Sequence, residues 1–206
     1  MAVRGFPVIV SSPSGGGKTT ICGKVLAADE LLQRVVTATT RAPRKGEKDG
    51  IDYHFWPKAR FEKAIEAGLM AEWAKVFLDY YGVPKKSLES VIKRGKNPVL
   101  VIDVQGAETV AKHYPDAVKV FILPPSWQVL RERLAGRKDD TRDVAVRVKT
   151  AKKEIGEIRK YGYVVINGDL EEATQDLIAI IRAERSKTAR QLPRFKQTKT
   201  GEYRFI

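Results

Sequence analysis

Residues 8–20 read VIVSSPSGGGKTT, from Val8 to Thr20, and this stretch decides the fold. Val8 to Ser11 follows a Gly-Phe-Pro lead-in and forms a short buried strand. A glycine-rich turn then feeds a helix expected from Lys18 to about Ala28. Strand, glycine turn, Lys-Thr and helix in that order make a phosphate-binding loop. Its glycines let successive backbone N–H groups converge on phosphate oxygens, and the helix N-terminus adds partial positive charge. Ser14, Gly15, Gly16, Gly17, Lys18, Thr19 and Thr20 are therefore the expected ATP-binding residues. Lys18 reaches the β- and γ-phosphates, and the Thr19 hydroxyl serves Mg²⁺. The strict pattern begins with Gly where this chain has Ser12.

Outward from the loop, apolar strands alternate with helical stretches. VLVID, Val99 to Asp103, is a buried strand ending in a carboxylate. Such a carboxylate lies at the same sheet edge as the phosphate loop and can hold Mg²⁺ through water, or simply cap the next helix. Further strands are expected at Val35 to Thr40, Tyr53 to Phe55, Trp73 to Leu78, Val118 to Leu123 and Tyr163 to Ile166. Helices are expected on the face marked by Phe61, Ile65 and Leu69, and after Pro84 to about Arg94. Others run from about Ser126 to Arg133, from about Asp143 to Lys160, and through the stripe Leu170, Ala173, Leu177, Ile180 and Ile181. This alternation argues for an α/β architecture with a largely parallel sheet. The donor is thus a nucleoside triphosphate, but the loop does not name the acceptor.

Composition narrows the setting. The chain has 206 residues, a formal net charge of +13, one cysteine and two histidines. One cysteine excludes an intramolecular disulfide and a cysteine-based metal cluster. The apolar run near the start is too short for a membrane span, so a cytoplasmic protein without membrane partners is expected. Cys22 is read as core-facing, though close enough to the nucleotide to meet alkylating reagents. The charge is uneven: residues 182–206 hold eight basic and two acidic residues. They are read as a helix continuation and then an irregular basic arm, either solvated or in contact with a phosphate backbone or partner, whose EYRFI end can dock as a short strand.

The acceptor emerges from further blocks. TATTRAPRKGEKDGIDYHF, GLMAEWAKVFLDYYG, VIDVQGA, FILPPS and RERLAGR occur in this order. The ordered set resembles the guanylate kinases, from Phe6 to about Ile181. That resemblance implies transfer of the γ-phosphate of ATP to GMP, and to dGMP with it, with Mg²⁺ as cofactor. It implies a three-layer P-loop kinase fold with a parallel central sheet, a small mixed GMP-binding subdomain and a helical lid. The expected division of 1–181 is a core of 1–34, 96–125 and 161–181, a GMP-binding part of 35–95 and a lid region of 126–160. The basic extension, 182–206, follows. By the resemblance, Arg41 and Arg44 grip the GMP phosphate with the hydroxyls of Tyr53 and Tyr81. Glu72 reads guanine, Thr37 stands near the base, and Asp103 closes the GMP site and serves the metal through water. Lys18, Arg41, Arg137 and Arg147 form the catalytic set, the last two from the lid.

Elementary chemistry agrees with these roles. A phosphate monoester is dianionic near neutral pH, and Arg forks bind its oxygens bidentately. Guanine offers N1–H and N2–H side by side, which one carboxylate accepts together. Adenine has an acceptor at N1 and leaves that carboxylate unpaired. The attacking group is already a phosphate oxygen, so no strong base is required. With basic residues occupied by two nucleotides, nucleic acid is not the expected main partner. The chain departs from the family pattern at Val83, where a hydroxyl is usual, and at Val101, which replaces a carboxylate. It also has Tyr161-Gly162-Tyr163 for YDY and Gly168 after Asn167, and its Arg137–Arg147 spacing is one residue short.

Overall fold

The structure is a computed structural model that describes residues 5–76, 78–136, 144–192, 195–197 and 201–205. The first half runs β1 (Val8–Ser11), α1 (Lys18–Ala28), β2 (Leu32–Arg34), β3 (Ala38–Thr39), β4 (His54–Phe55), α2 (Lys58–Glu66), β5 (Met70–Val76), β6 (Asp79–Pro84) and α3 (Lys85–Lys93). The second half runs β7 (Asn97–Val101), α4 (Val104–His113), β8 (Val118–Leu123), α5 (Trp127–Ala135), α6 (Val144–Gly156), β9 (Tyr163–Ile166), α7 (Leu170–Ser186), α8 (Thr188–Gln191), β10 (Phe195–Gln197) and β11 (Tyr203–Phe205).

Five strands form a parallel sheet in the order β2-β7-β1-β8-β9. Its inner strands β1 and β7 are mostly apolar and buried along almost their whole length because both faces are covered there, whereas the edge strands β2 and β9 carry exposed residues. Alternation along β1 divides the core. Val8 and Val10 join Ile21, Cys22 and Val25 of α1 and Ala173, Leu177 and Ile181 of α7. Ile9 turns the other way, to Leu88 of α3, Ala107 and Val110 of α4, and Ala71 and Val83. Cys22 is buried as expected, and burial pushes its thiol up to about 12. Burial and a disfavoured thiolate both weigh against reaction with alkylating reagents, which needs an accessible thiolate.

A second, mixed sheet has the order β4-β3-β6-β5. β3 pairs parallel with β4 and antiparallel with β6, and β6 pairs antiparallel with β5. Residues 79–84, which the sequence pattern did not mark as a strand, are the link that joins β3 to β5. The helix expected through Leu69 stops earlier. α2 ends at Glu66, Gly68 takes φ 63°, and Leu69 is exposed. Glycine reaches this left-handed backbone without steric cost. The helix expected from Asp143 to Lys160 is α6 followed by a separate short 3₁₀ turn, Ile158–Lys160; Asp143 lies outside the described residues.

The basic extension is more than a solvated arm. α7 continues to Ser186, and Arg185 is paired with Asp29 and with Asn97 Oδ1. Arg190 lies over the Phe6 ring, 3.8 Å from its centroid, and bonds Glu184 and the Asp116 carbonyl. Tyr203–Phe205 does form a strand, paired with Phe195–Gln197. Among the described residues, no helix is long and apolar enough to cross a membrane.

Candidate active site

The phosphate loop leaves β1 at Ser11 and enters α1 at Lys18. Gly15 and Gly17 have φ of 83° and 88°, which a side chain would strain. A Cβ on Gly17 would also collide with Asn167 Nδ2. Gly16 makes room for the departure at position 12: its own Cβ would lie 2.8 Å from Ser12 Cβ. Ser12 is buried, and its hydroxyl donates to the Pro13 carbonyl at 3.0 Å. Gly17 is the N-cap of α1 and supplies no side-chain cap, and the first turn holds no acidic residue. The leading N–H groups of the helix therefore face a cleft of about 630 Å³ with no side-chain cap of their own. All seven residues from Ser14 to Thr20 line that cleft.

Among the residues that border it from outside the loop are three polar ones that the sequence reading did not assign to the site. Asn167, at the end of β9, donates from Nδ2 to the Gly16 carbonyl at 2.9 Å. Arg133 of α5 donates to the Asn167 carbonyl at 3.1 Å, and its buried Nη1 has no hydrogen-bond partner among the described residues. Glu154 of α6 accepts the Ser14 N–H at 3.3 Å. The blocks containing Arg133 and Asn167 were visible in the sequence. Their approach to the loop depends on crossings between distant elements, and Glu154 carried no local signal.

The second cluster stands on the mixed sheet. Thr37 precedes β3, and its carbonyl accepts the His54 N–H at 2.7 Å. Arg41 lies 5.6 Å from the Tyr53 ring centroid, and the Tyr53 and Tyr81 rings meet edge to face at 6.2 Å. Glu47, another residue the sequence reading did not assign, organises this loop. Its carboxylate takes Arg41 Nη2 at 2.9 Å and the Arg44 N–H at 2.7 Å. The Glu47 bond comes first among the causes that raise the Arg41 guanidinium above its ordinary range. The Arg44 side chain is exposed. Glu72 of β5 pairs in register with Val83 of β6. Val83 is fully buried in the core. Glu72 itself is only 8% exposed, and burial, with the nearby Asp103 charge, pushes its carboxyl up to about 7.

Asp103 joins the two clusters. Its Oδ1 accepts the Gln105 and Gly106 N–H groups, each at 2.9 Å, as the N-cap of α4. Its carbonyl accepts the Ser11 hydroxyl at 3.4 Å, just before the phosphate loop. Capping and proximity to the loop are thus both present in this one residue. The two lid arginines are placed differently. Arg147 is 2% exposed, donates Nη1–H to the Leu134 carbonyl at 2.6 Å and does not line the phosphate cleft. Arg137 lies outside the described residues.

A phosphate loop at the edge of a parallel sheet, with an Arg-Tyr and carboxylate cluster on an attached mixed sheet, defines a P-loop nucleotide kinase. Residues 4–184 match the guanylate kinase family model. The chain is 44% identical over 188 residues to the guanylate kinase of Carboxydothermus hydrogenoformans, covering 91% of this chain and 92% of that one. It is 43% identical to the enzyme of Symbiobacterium thermophilum, with 91% and 89% covered. The crystal structure of guanylate kinase from Anaplasma phagocytophilum superposes with a TM-score of 0.74 at 38% identity, over 91% of this chain and 90% of that one. The chain belongs to the guanylate kinase family.

Proposed function

We propose that the phosphate-loop cleft holds ATP and that the cluster around Glu72 holds GMP, with Asp103 between them. As a guanylate kinase the chain is an ATP:GMP phosphotransferase, converting ATP and GMP to ADP and GDP. In the proposed arrangement, the uncapped N–H groups of α1 and the Lys18 ammonium hold the donor phosphates. Arg41 and Arg44, with the hydroxyls of Tyr53 and Tyr81, hold the GMP phosphate. Glu72 accepts guanine N1–H and N2–H, and Thr37 borders the base. Arg137 and Arg147 are assigned to charge neutralisation on the donor side. For Arg147 this needs movement of α5 and α6 relative to the loop, consistent with lid closure that excludes water from the γ-phosphate. The proposed working division is a core, a GMP-binding part (35–95), a lid (126–160) and the basic extension (182–206).

Mg²⁺ fits the donors available. The Thr19 hydroxyl and the exposed Asp103 carboxylate are hard oxygens, the latter acting through water. Among the described residues no group of three or more His, Cys, Asp or Glu forms a cage, which suits an ion carried mainly by nucleotide phosphates. Held by the Thr19 hydroxyl and, through water, by Asp103, it would supply charge neutralisation on the donor phosphates. The chain's own contribution is positional: its cations hold two mutually repelling anions in line and follow charge onto the leaving oxygen.

One observation carries this reading: the Asp103 carbonyl accepts the Ser11 hydroxyl beside the phosphate loop, and its carboxylate caps α4 at Gly106, the residue that faces the buried Glu72 carboxylate of the other sheet. Donor and acceptor sites therefore share one wall. The test is ADP release from ATP with GMP, compared with AMP, CMP and UMP. GMP-dependent release is expected, and Lys18→Ala is expected to lower kcat by about 10²–10³-fold. Absence of GMP-dependent release from folded protein would overturn the reading.

A further inference from the structure

Gly106 occupies the third position of α4, after its Asp103 cap. Its φ is not in the left-handed region, so its backbone does not require glycine. Alanine is the better helix former at such a position. The reason for glycine lies across the gap. A Cβ at 106 would sit 3.1 Å from Glu72 Oε2, 3.2 Å from Glu72 Cδ and 3.6 Å from Asp103 Oδ1. The first two separations are tighter than ordinary van der Waals contact, so one neighbour would have to give.

Little nearby can give. Gly106 N–H is held by Asp103 Oδ1 at 2.9 Å. The next residue, Ala107, is buried among Ala71, Val83 and Leu88, which fixes the first turn of α4 against β5 and β6. Glu72 is flanked by this packing and pairs with Val83. The mobile part is the Glu72 carboxylate, which swings on its own side-chain torsions. Added bulk at 106 displaces that carboxylate before it moves the helix.

We propose that Gly106 is a specificity-positioning residue: its missing side chain leaves the space in which the Glu72 carboxylate stands to read guanine. The inference rests on the proposed role of Glu72. A carboxylate that accepts two adjacent N–H groups must be placed within a few tenths of an ångström, because both bonds depend on its plane. The donor phosphates are assigned to the phosphate-loop cleft, which neither Gly106 nor Glu72 lines, so the effect is confined to the acceptor.

The experiment compares Gly106→Ala, Glu72→Ala and the double variant in the full chain, by steady-state kinetics and thermal unfolding. Gly106→Ala is expected to raise KM for GMP about tenfold. It is expected to lower the GMP-over-AMP ratio of kcat/KM at least fivefold and to leave KM for ATP within twofold. Its melting temperature should not fall as far as loss of a core contact would require. In the Glu72→Ala background, where no carboxylate remains to be displaced, the 106 substitution should add no further change in GMP kinetics. A folded Gly106→Ala with unchanged KM for GMP overturns the proposal. So does an equal effect of Gly106→Ala with and without the Glu72 side chain. If Glu72→Ala itself leaves GMP preference intact, the reading of Glu72 fails and the proposal falls with it. If Glu72→Ala loses preference while Gly106→Ala does not, only the proposal falls. Should Gly106→Ala fail to fold, rescue by Glu72→Ala supports the clash, and failure of both variants refutes it.

Discussion

A carboxylate where Glu72 stands is costly to the fold. Burial and the nearby Asp103 hold its carboxyl at about 7 against an ordinary value of 4.5. The folded chain therefore keeps a proton that the unfolded chain releases. That contribution to stability is fully present below about pH 4.5 and is lost as pH rises through about 7. Glu72→Gln keeps the shape and removes the titration. Relative to the parent, it is expected to gain on the order of 3 kcal/mol at pH 8 and almost nothing at pH 4.5. Urea unfolding at the two pH values reads this difference. The same variant should lose preference for GMP, because the ionised carboxylate is what two N–H donors require. GMP affinity of the parent should accordingly rise between pH 6 and 8. The GMP phosphate titrates near 6 as well, so the informative quantity is the difference between parent and variant.

At the scale of elements, the phosphate loop is held from outside its own sequence. β9 ends where Asn167 donates to the Gly16 carbonyl, and Asn167 is only 5% exposed. Asn167→Ala should loosen the loop and raise KM for ATP about three- to tenfold with KM for GMP unchanged. Asn167→Asp should do more, because an acceptor would then face the Gly16 carbonyl without a shared proton. Kinetics with each substrate varied in turn separates the two. The strand–loop–helix unit, 8–28, was legible in the sequence because its signals are local: an apolar run, then glycines, then Lys-Thr. The same holds for β8 and β9. The strand at 79–84 was not legible. DYYGVP has no clean alternation, and its strand state comes from pairing with two partners remote in sequence.

For the molecule as a whole, positive charge has two uses. One part belongs to the residues proposed to hold the two nucleotides. Another fastens the end of the chain to the edge of the parallel sheet where the strands begin. Asp29, Asn97 and Phe6 all lie there, against Arg185 and Arg190. Glu184, buried at 2% exposure, is shared by Lys187, Arg190 and the Tyr163 hydroxyl. Removing residues 187–206 would leave that carboxylate without two of its cations. Loss of an arginine stacked on Phe6 and of a partner to a buried acid is expected to cost about 2 kcal/mol, or a fall of about 4–8 °C in melting temperature. KM for ATP and GMP should stay unchanged, since the latch lies at the opposite end of the strands from the phosphate loop. Calorimetry and kinetics on the truncated chain check both statements.

By itself, the sequence determined the architecture and the chemistry of the donor site. A phosphate loop works through backbone geometry over a dozen contiguous residues, and those residues are its complete local description. The sequence also supplied the residue types of the acceptor site through the order of its blocks. Tertiary structure alone decided how those types are used. It set Asp103 as helix cap and as partner of Ser11 beside the phosphate loop, buried Glu72 until its proton affinity changed, and drew Arg147 inside against Leu134. It also placed Gly106 opposite a carboxylate 34 positions earlier in the chain. Burial and electrostatic coupling are properties of neighbours in space, and local sequence patterns do not encode which distant residues become neighbours.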